Sequence, residues 1–258
     1  FNSKIFMVDV KQIKEIAKRA GAKILEHYHS DVSVNFKADT SPLTQADLDA
    51  HTEIIKGLQQ YYPEIPVISE ESKLPVFDER KNWPQFFLVD PLDGTKEFIK
   101  KNGEFTVNIA LVKNSEPVLG VVYIPAEDLI YYATEKEGAF KQKSSQPPVQ
   151  IQHSPYVKGN SAKIMVSRSH GGSDTKEKLA ALGVNVSEEI PSGSSLKFCK
   201  VAEGTADLYP RFGPTMEWDT AAADAVFRYS GKNGARKSPL KYNKPDLKNG
   251  EFILGLDR

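Results

Sequence analysis

Cysteine is nearly missing: Cys199 stands alone among 258 residues, which excludes an internal disulfide and a zinc site of the Cys/His type. Net charge is missing too. With 34 basic and 34 acidic side chains, no basic tail or stripe invites nucleic acid or a membrane surface, so any anionic ligand has to be met by a local cluster. No apolar run approaches membrane-spanning length, and the first twenty residues carry too much charge for a signal peptide. Internal repeats and low-complexity tracts are absent. What is there is ordinary: 40% hydrophobic and 26% charged residues, in a chain long enough for one large domain or two of usual size. A cytoplasmic location is expected, with peripheral attachment to an inner membrane left open. The chain opens on Phe1 rather than Met, so its N-terminus is expected to be incomplete or to include added residues.

The most informative stretch is Gln85–Phe98, QFFLVDPLDGTKEF. Phe86 to Val89 form a continuous apolar run, as expected of a strand buried on both faces. The run stops at Asp90; Pro91 and Gly94 signal a tight turn, and Thr95 is placed to cap a short helix. Asp90 and Asp93 are therefore presented at a strand end, where they can hold hard cations on one side with a phosphate on the other. Asp-Pro and Asp-Gly are also common turn residues, so the stretch needs company before it reads as a site.

Elsewhere, apolar residues at helical spacing predict a helix over residues 8–30, with Asp9 and Gln12 as a capping box and His27 and His29 at the surface. Thr44 and Asp47 open a second helix reaching about Gln60, again as a capping box. Ile65–Ile68 is a short strand running into Ser69-Glu70-Glu71, and residues 72–84 look like an exposed loop. Residues 105–113, 117–125 and 129–134, then 138–140, are successive strands of an antiparallel sheet. The polar, Pro-rich residues 143–155 are expected to separate two domains, 1–145 and 146–258. The second alternates: strand 162–166, helix 173–182, strand 184–190, a helix from Ser195 through Ala202, strand 206–209, a helix from Trp218-Asp219 to Phe227, and a strand near 252–254.

Four acids lie at element ends: Glu70, Asp90, Asp93 and Asp219. Oxygen donors without sulfur or imidazole favour magnesium over zinc. Asp219 can equally be a helix cap, and adjacent glutamates are often solvated surface charge. The acid spacing differs from the D-x-D-G-T of haloacid-dehalogenase-type phosphatases, since Pro91 and Leu92 both intervene. D-P-L-D-G-T instead resembles the metal-binding motif of the inositol monophosphatase superfamily, and T-x-A-D (Thr44–Asp47), S-E-E (Ser69–Glu71) and W-D-T-A-A (Trp218–Ala222) follow that superfamily's order over nearly the whole chain. The resemblance implies a layered αβαβα sandwich: an α+β N-terminal part with an antiparallel sheet carrying the metals and an α/β C-terminal part recognising substrate. It implies two or three Mg²⁺ held by Glu70, Asp90, the Leu92 carbonyl, Asp93 and Asp219, with Glu71 a weaker candidate. It also implies that Thr95, polarised by Asp47, orients the attacking water, and that lithium inhibits.

Ser167-Arg168-Ser169-His170, Gly193–Lys197 and Tyr209-Pro210-Arg211 are similar to segments of the 3′(2′),5′-bisphosphate nucleotidases of the CysQ-type branch. That resemblance implies Mg²⁺-dependent removal of the 3′-phosphate from adenosine 3′,5′-bisphosphate, within sulfur metabolism. Substrate contacts would come from Gly94, Thr95, His170, Gly193, Ser194, Lys197 and Arg211, whose cations suit a second phosphate. Lys197 can also be read as an exposed helix lysine, Arg211 as a structural ion-pair partner and His170 as a polar residue at the surface. Cys199 is expected to pack rather than react. The rival functions are an inositol or sugar phosphatase with the same metals, and a non-catalytic nucleotide sensor.

Overall fold

The computed structural model describes residues 7–29, 34–36, 42–153, 155–168, 174–232 and 234–256. Its centre is a seven-stranded sheet whose strands lie side by side in chain order, from Val67–Ser69 through Gln85–Asp93, Thr106–Lys113, Glu116–Ile124, Leu129–Thr134 and Gly138–Lys143 to Val149–Ile151. All neighbours are antiparallel except the first pair, Val67–Ser69 beside Gln85–Asp93.

Alternation along the strands divides the core between the two faces of this sheet. Phe87, Val89, Val107, Ile109 and Val121 pack on one face against the helices Val10–Tyr28 and Gln45–Tyr61. Phe86, Leu88, Ala110 and Val122 pack on the other against Leu196–Ala202 and Ala221–Arg228. The last of these helices lies so close that a Cβ at Gly120 would meet the Ala222 carbonyl oxygen at 2.1 Å, so any larger residue there would push helix and sheet apart. Beyond it, the parallel pair Ser161–Ser167 and Asn185–Ser192 forms another sheet, with Met165 facing the helices and Ala162 and Ile164 facing the helix Thr175–Ala181 through Leu179. The order helix, sheet, helix, sheet, helix is the expected αβαβα sandwich.

Several local expectations need correction. Asp9 does cap the first helix, accepting the Lys11 N–H at 2.9 Å, but Gln12 does not return the bond: the Asp9 N–H goes to the Tyr62 hydroxyl at 3.0 Å. Tertiary packing wins over a local pair. The loop 72–84 contains a one-turn helix, Phe77–Arg80, whose Arg80 is only 3% exposed. The polar stretch 143–155 supplies the strand Val149–Ile151, because the open edge at Gly138–Lys143 can pair with it. Tyr209–Arg211, rather than 206–209, forms the strand beside Phe252–Leu254. Ser169 and His170 lie outside the described residues, as does Ser41. Cys199 is buried in the core as a packing residue.

Candidate active site

The acid turn is shaped by a break in a ladder. Asp90 sits opposite Asn108, and the next register pair is Asp93 with Thr106, because Pro91 has no N–H to give and the strand bulges. The bulge frees both carboxylates from the alternation. Gly94 follows at φ 87°, and its Cβ, if it had one, would lie 3.0 Å from the Glu104 carbonyl oxygen. Gly94, not Thr95, therefore caps the short helix Thr95–Ile99. The Thr95 hydroxyl is spared for other work, within reach of Asp47 Oδ1 at 3.2 Å and the Leu92 carbonyl at 3.3 Å.

Asp47 makes two sets of contacts. Its Oδ2 accepts the Thr44 N–H at 2.7 Å and the Thr44 hydroxyl at 2.6 Å, holding the helix start, while Oδ1 faces Thr95. Glu70 arrives from the neighbouring parallel strand, its N–H donating to Val89 O at 3.1 Å. Asp219 comes from the turn before Ala221–Arg228, with Oδ2 accepting the Met216 N–H at 2.8 Å. Carboxylate oxygens of Glu70, Asp90 and Asp219 then lie within 4.8 Å of one another.

Asp93 stands slightly apart and faces the other wall. It takes hydrogen bonds from the Ser195 N–H and the Ser194 side chain, and it feels the charge of Lys197. That lysine is neither exposed nor remote from the acids: it is 5% exposed and donates to the carbonyls of Ser192 (3.3 Å) and Ser194. Arg211 donates to the carbonyls of Gly213 and Pro214, both at 3.3 Å. Acids and cations thus line one cavity of about 280 Å³, together with Leu92, Gly94, Thr95, Gly193 and Ser194.

Burial dominates the electrostatics. It pushes the Asp90 and Asp219 carboxyls well above the usual range, and like-charged neighbours push further, Glu70 first on Asp90 and Asp93 first on Asp219. Burial raises Asp93 to about 6 despite Lys197, and lowers Lys197 to about 8 despite Asp93. Burial also raises Asp47. A hard cation fits these residues: the donors are all oxygen, they converge, and their packed negative charge wants compensation.

The linkage has a definite sign. For an acid whose folded pKa exceeds its unfolded value of about 4, the native state binds more protons in between, so stability falls as pH rises through that window. His51 and His153, lowered by burial, oppose this only up to about pH 6.5, and each is only partly buried. Without divalent cations the Tm is therefore expected to drop as pH rises from about 5 through about 6, where Asp93 titrates, with an added divalent cation recovering most of the loss at the upper end. Thermal scans in chelator check this; a Tm that rises over that span would mean that burial does not hold the Asp47, Asp90, Asp93 and Asp219 carboxyls above their ordinary range.

Three polar residues escaped the sequence reading. Thr106 lies 2.8 Å from Ser194 Oγ and 3.1 Å from Ser195 Oγ, and Asn108 Oδ1 accepts the Ser195 hydroxyl at 2.9 Å. Glu104 takes a two-pronged contact from Arg168 (2.6 and 2.7 Å) and the Gly193 N–H at 2.8 Å, tying the serine loop to the acid turn. Thr106 and Asn108 were findable as two polar residues on one face of an otherwise apolar strand; Glu104 gave no local signal.

An αβαβα sandwich with converging carboxylates and cations in one cleft defines a class of phosphate-handling, metal-dependent proteins. A sequence model of the inositol monophosphatase family matches residues 8–243, and the chain belongs to that family. The 3′(2′),5′-bisphosphate nucleotidase CysQ of Salmonella typhimurium is 46% identical over 219 residues, covering 84% of this chain and 86% of that protein. The crystal structure of CysQ from Bacteroides thetaiotaomicron, described as a bacterial member of the inositol monophosphatase family, superposes with a TM-score of 0.77 at 43% identity, covering 94% and 95% of the two chains. A Thermotoga maritima IMPase shares the fold (TM-score 0.72, 20% identity, 95% and 90% covered).

Proposed function

We infer that this chain is a 3′(2′),5′-bisphosphate nucleotidase that removes the 3′-phosphate of adenosine 3′,5′-bisphosphate, giving AMP and phosphate. The observation that carries the reading is the single cavity in which Glu70, Asp90 and Asp219 face Lys197 and Arg211, acids for cations and cations for phosphate. Glu70, Asp90, Asp93, Asp219 and the Leu92 carbonyl would hold two or three Mg²⁺. When bound, these supply neutralisation of the phosphate, a lowered pKa for water and stabilisation of the leaving alkoxide.

The chain's own part is positioning and proton handling. With its one proton given to Asp47 Oδ1, the Thr95 oxygen is left to accept from water and aim it at phosphorus. Burial raises the proton affinity of Asp47, which suits it to receive the proton that the water sheds. As the water oxygen bonds to phosphorus, the bond to the 3′-oxygen breaks, that oxygen departs on AMP and takes up a proton from solvent, and no side chain becomes phosphorylated. Gly94, Gly193, Ser194, Lys197 and Arg211 are proposed substrate contacts, and His170 keeps the same assignment from the sequence. Lithium inhibition by replacing a magnesium, the division at residue 145 into metal-binding and substrate-recognising parts, and a cytoplasmic location belong to the same proposal. Among the described residues no helix is long and apolar enough to cross a membrane.

The test is kcat/KM on adenosine 3′,5′-bisphosphate and on an inositol monophosphate, with and without Mg²⁺. The nucleotide should be the better substrate, and both activities should need the metal. Arg211→Ala should cost the nucleotide about ten- to a hundredfold, one charge-assisted phosphate contact, and the monophosphate much less. An equal loss on both would mean that Arg211 serves structure or chemistry and that the pocket is not nucleotide-selective.

A further inference from the structure

Glu217 lies two residues before Asp219 and is fully buried, yet it does not line the cavity. Its carboxylate points away and accepts the Asn243 N–H at 2.6 Å, the Lys244 N–H at 3.0 Å and the Lys244 ammonium at 2.6 Å. Asn243 sits at φ 69°, a left-handed conformation that lets its backbone serve Glu217 while its side chain serves a third segment. Its Oδ1 accepts from Arg80 at 2.7 Å and its Nδ2 donates to the Arg80 carbonyl at 2.9 Å, across 163 residues of sequence. The other arm of the Arg80 guanidinium donates to Pro245 O at 2.9 Å. Arg80 belongs to the segment between Glu70 and Asp90. Farther along the C-terminal stretch, the Asn249 amide donates to Met216 O (3.2 Å) and Thr220 Oγ1 (3.1 Å), and the Met216 N–H in turn holds Asp219 Oδ2.

These contacts form a continuous path from the segment that carries two of the acids to the turn that carries the third. We propose that Arg80, Asn243 and Glu217 are positioning residues, a brace that holds the Asp219 carboxylate against Glu70 and Asp90 and so sets the affinity for the metal. The physical need is plain: three carboxylates within 4.8 Å repel one another, and Asp219 comes from a different segment that would otherwise relax outward. A braced site keeps the repulsion in the free protein, where a cation can relieve it. Arg80, Asn243 and Glu217 do not themselves line the cavity. They meet its wall at Thr220, beside Asp219, where the Thr220 hydroxyl donates to the Glu217 carbonyl at 3.2 Å. Lys197 and Arg211 lie outside the brace, so it should act on metal binding more than on substrate binding. This deepens the Mg²⁺ reading above and rests on it.

Two variants cut the brace without touching the acids. Arg80→Gln removes both guanidinium contacts. Asn243→Gly removes the side-chain contacts while keeping the positive φ and the N–H to Glu217. The control is Glu203→Gln, whose carboxylate takes Tyr131, Lys141, Lys200 and Thr205 in a comparably dense network that does not lead to Asp219. Mg²⁺ affinity is measured by calorimetry and by Mg²⁺-induced thermal shift. Each brace variant should weaken it about tenfold, the usual effect of removing support behind a metal ligand. KM for the nucleotide at saturating Mg²⁺ should stay within about twofold. Glu203→Gln should lower Tm and leave Mg²⁺ affinity where it is. Unchanged affinity in both brace variants, or an equal weakening in Glu203→Gln, would overturn the brace. A wild-type protein that binds no Mg²⁺ would instead remove the metal reading, and the brace with it.

Discussion

Asp90→Asn is expected to reduce kcat/KM on adenosine 3′,5′-bisphosphate by about a thousandfold, the largest effect of any single change considered. Asp90 is the acid nearest the middle of the group: it is 2% exposed, and it is pushed upward by burial and then by Glu70, Asp93, Asp219 and Asp47 together. Its amide has almost the same shape, so the bulge and the Leu92 N–H contact at 3.1 Å can survive. What disappears is the charge that draws cations in. Metal-based stabilisation of a phosphoryl transition state is worth several kcal/mol, and each 1.36 kcal/mol is tenfold in rate. The same substitution should raise the Tm of the metal-free protein, because one buried like charge is gone, and should abolish most of the Mg²⁺-induced shift. Steady-state kinetics and thermal scans with and without Mg²⁺ read both effects. Turnover near that of the wild type would sink the assignment of Asp90 as a ligand.

Thr95→Val should lower kcat by roughly a hundredfold or more with little change in KM, a loss typical of general acid–base and water-positioning groups. Valine preserves the shape and the helix start, since Gly94 provides the cap. Thr95→Ser should restore much of the rate, because the hydroxyl's link to Asp47 returns. Asp47→Asn should resemble Thr95→Val, and the double variant should be little worse than either, since two residues of one relay share one contribution. Losses that multiply in the double variant would show that Thr95 and Asp47 act independently, and the relay would have to be abandoned.

Much of this site was legible because it is written in contiguous motifs. The apolar run Phe86–Val89 announced a strand buried on both faces, and its alternate residues do enter two different core clusters. Pro91 and Gly94 announced a turn for chemical reasons that hold wherever they stand: one lacks an N–H and the other tolerates φ 87°. Thr44 and Asp47 announced a helix start, which formed as a capping box. Where the local pattern misled, a distant group made a better offer, as the Tyr62 hydroxyl did for the Asp9 N–H and as Gly94 did by taking the cap from Thr95.

By itself the sequence determined the donor chemistry of this protein: all-oxygen acids at the ends of apolar segments, glycine where a turn needs a positive φ, and hydroxyls and cations in the second half. These depend on covalent identity and on spacing of a few residues, which folding does not alter. Only the tertiary structure decided which acids meet. It grouped Glu70, Asp90 and Asp219, turned Asp93 toward Ser194, Ser195 and Lys197, and buried Lys197 where a helix surface was an equal reading. It also made Arg80, in a stretch that reads as loop, a partner of Asn243. The reason is that direction and burial are set by packing between segments far apart in the chain. A strand bulge, a left-handed asparagine and two helices against a sheet choose where each carboxylate points, and no window of neighbouring residues contains that information.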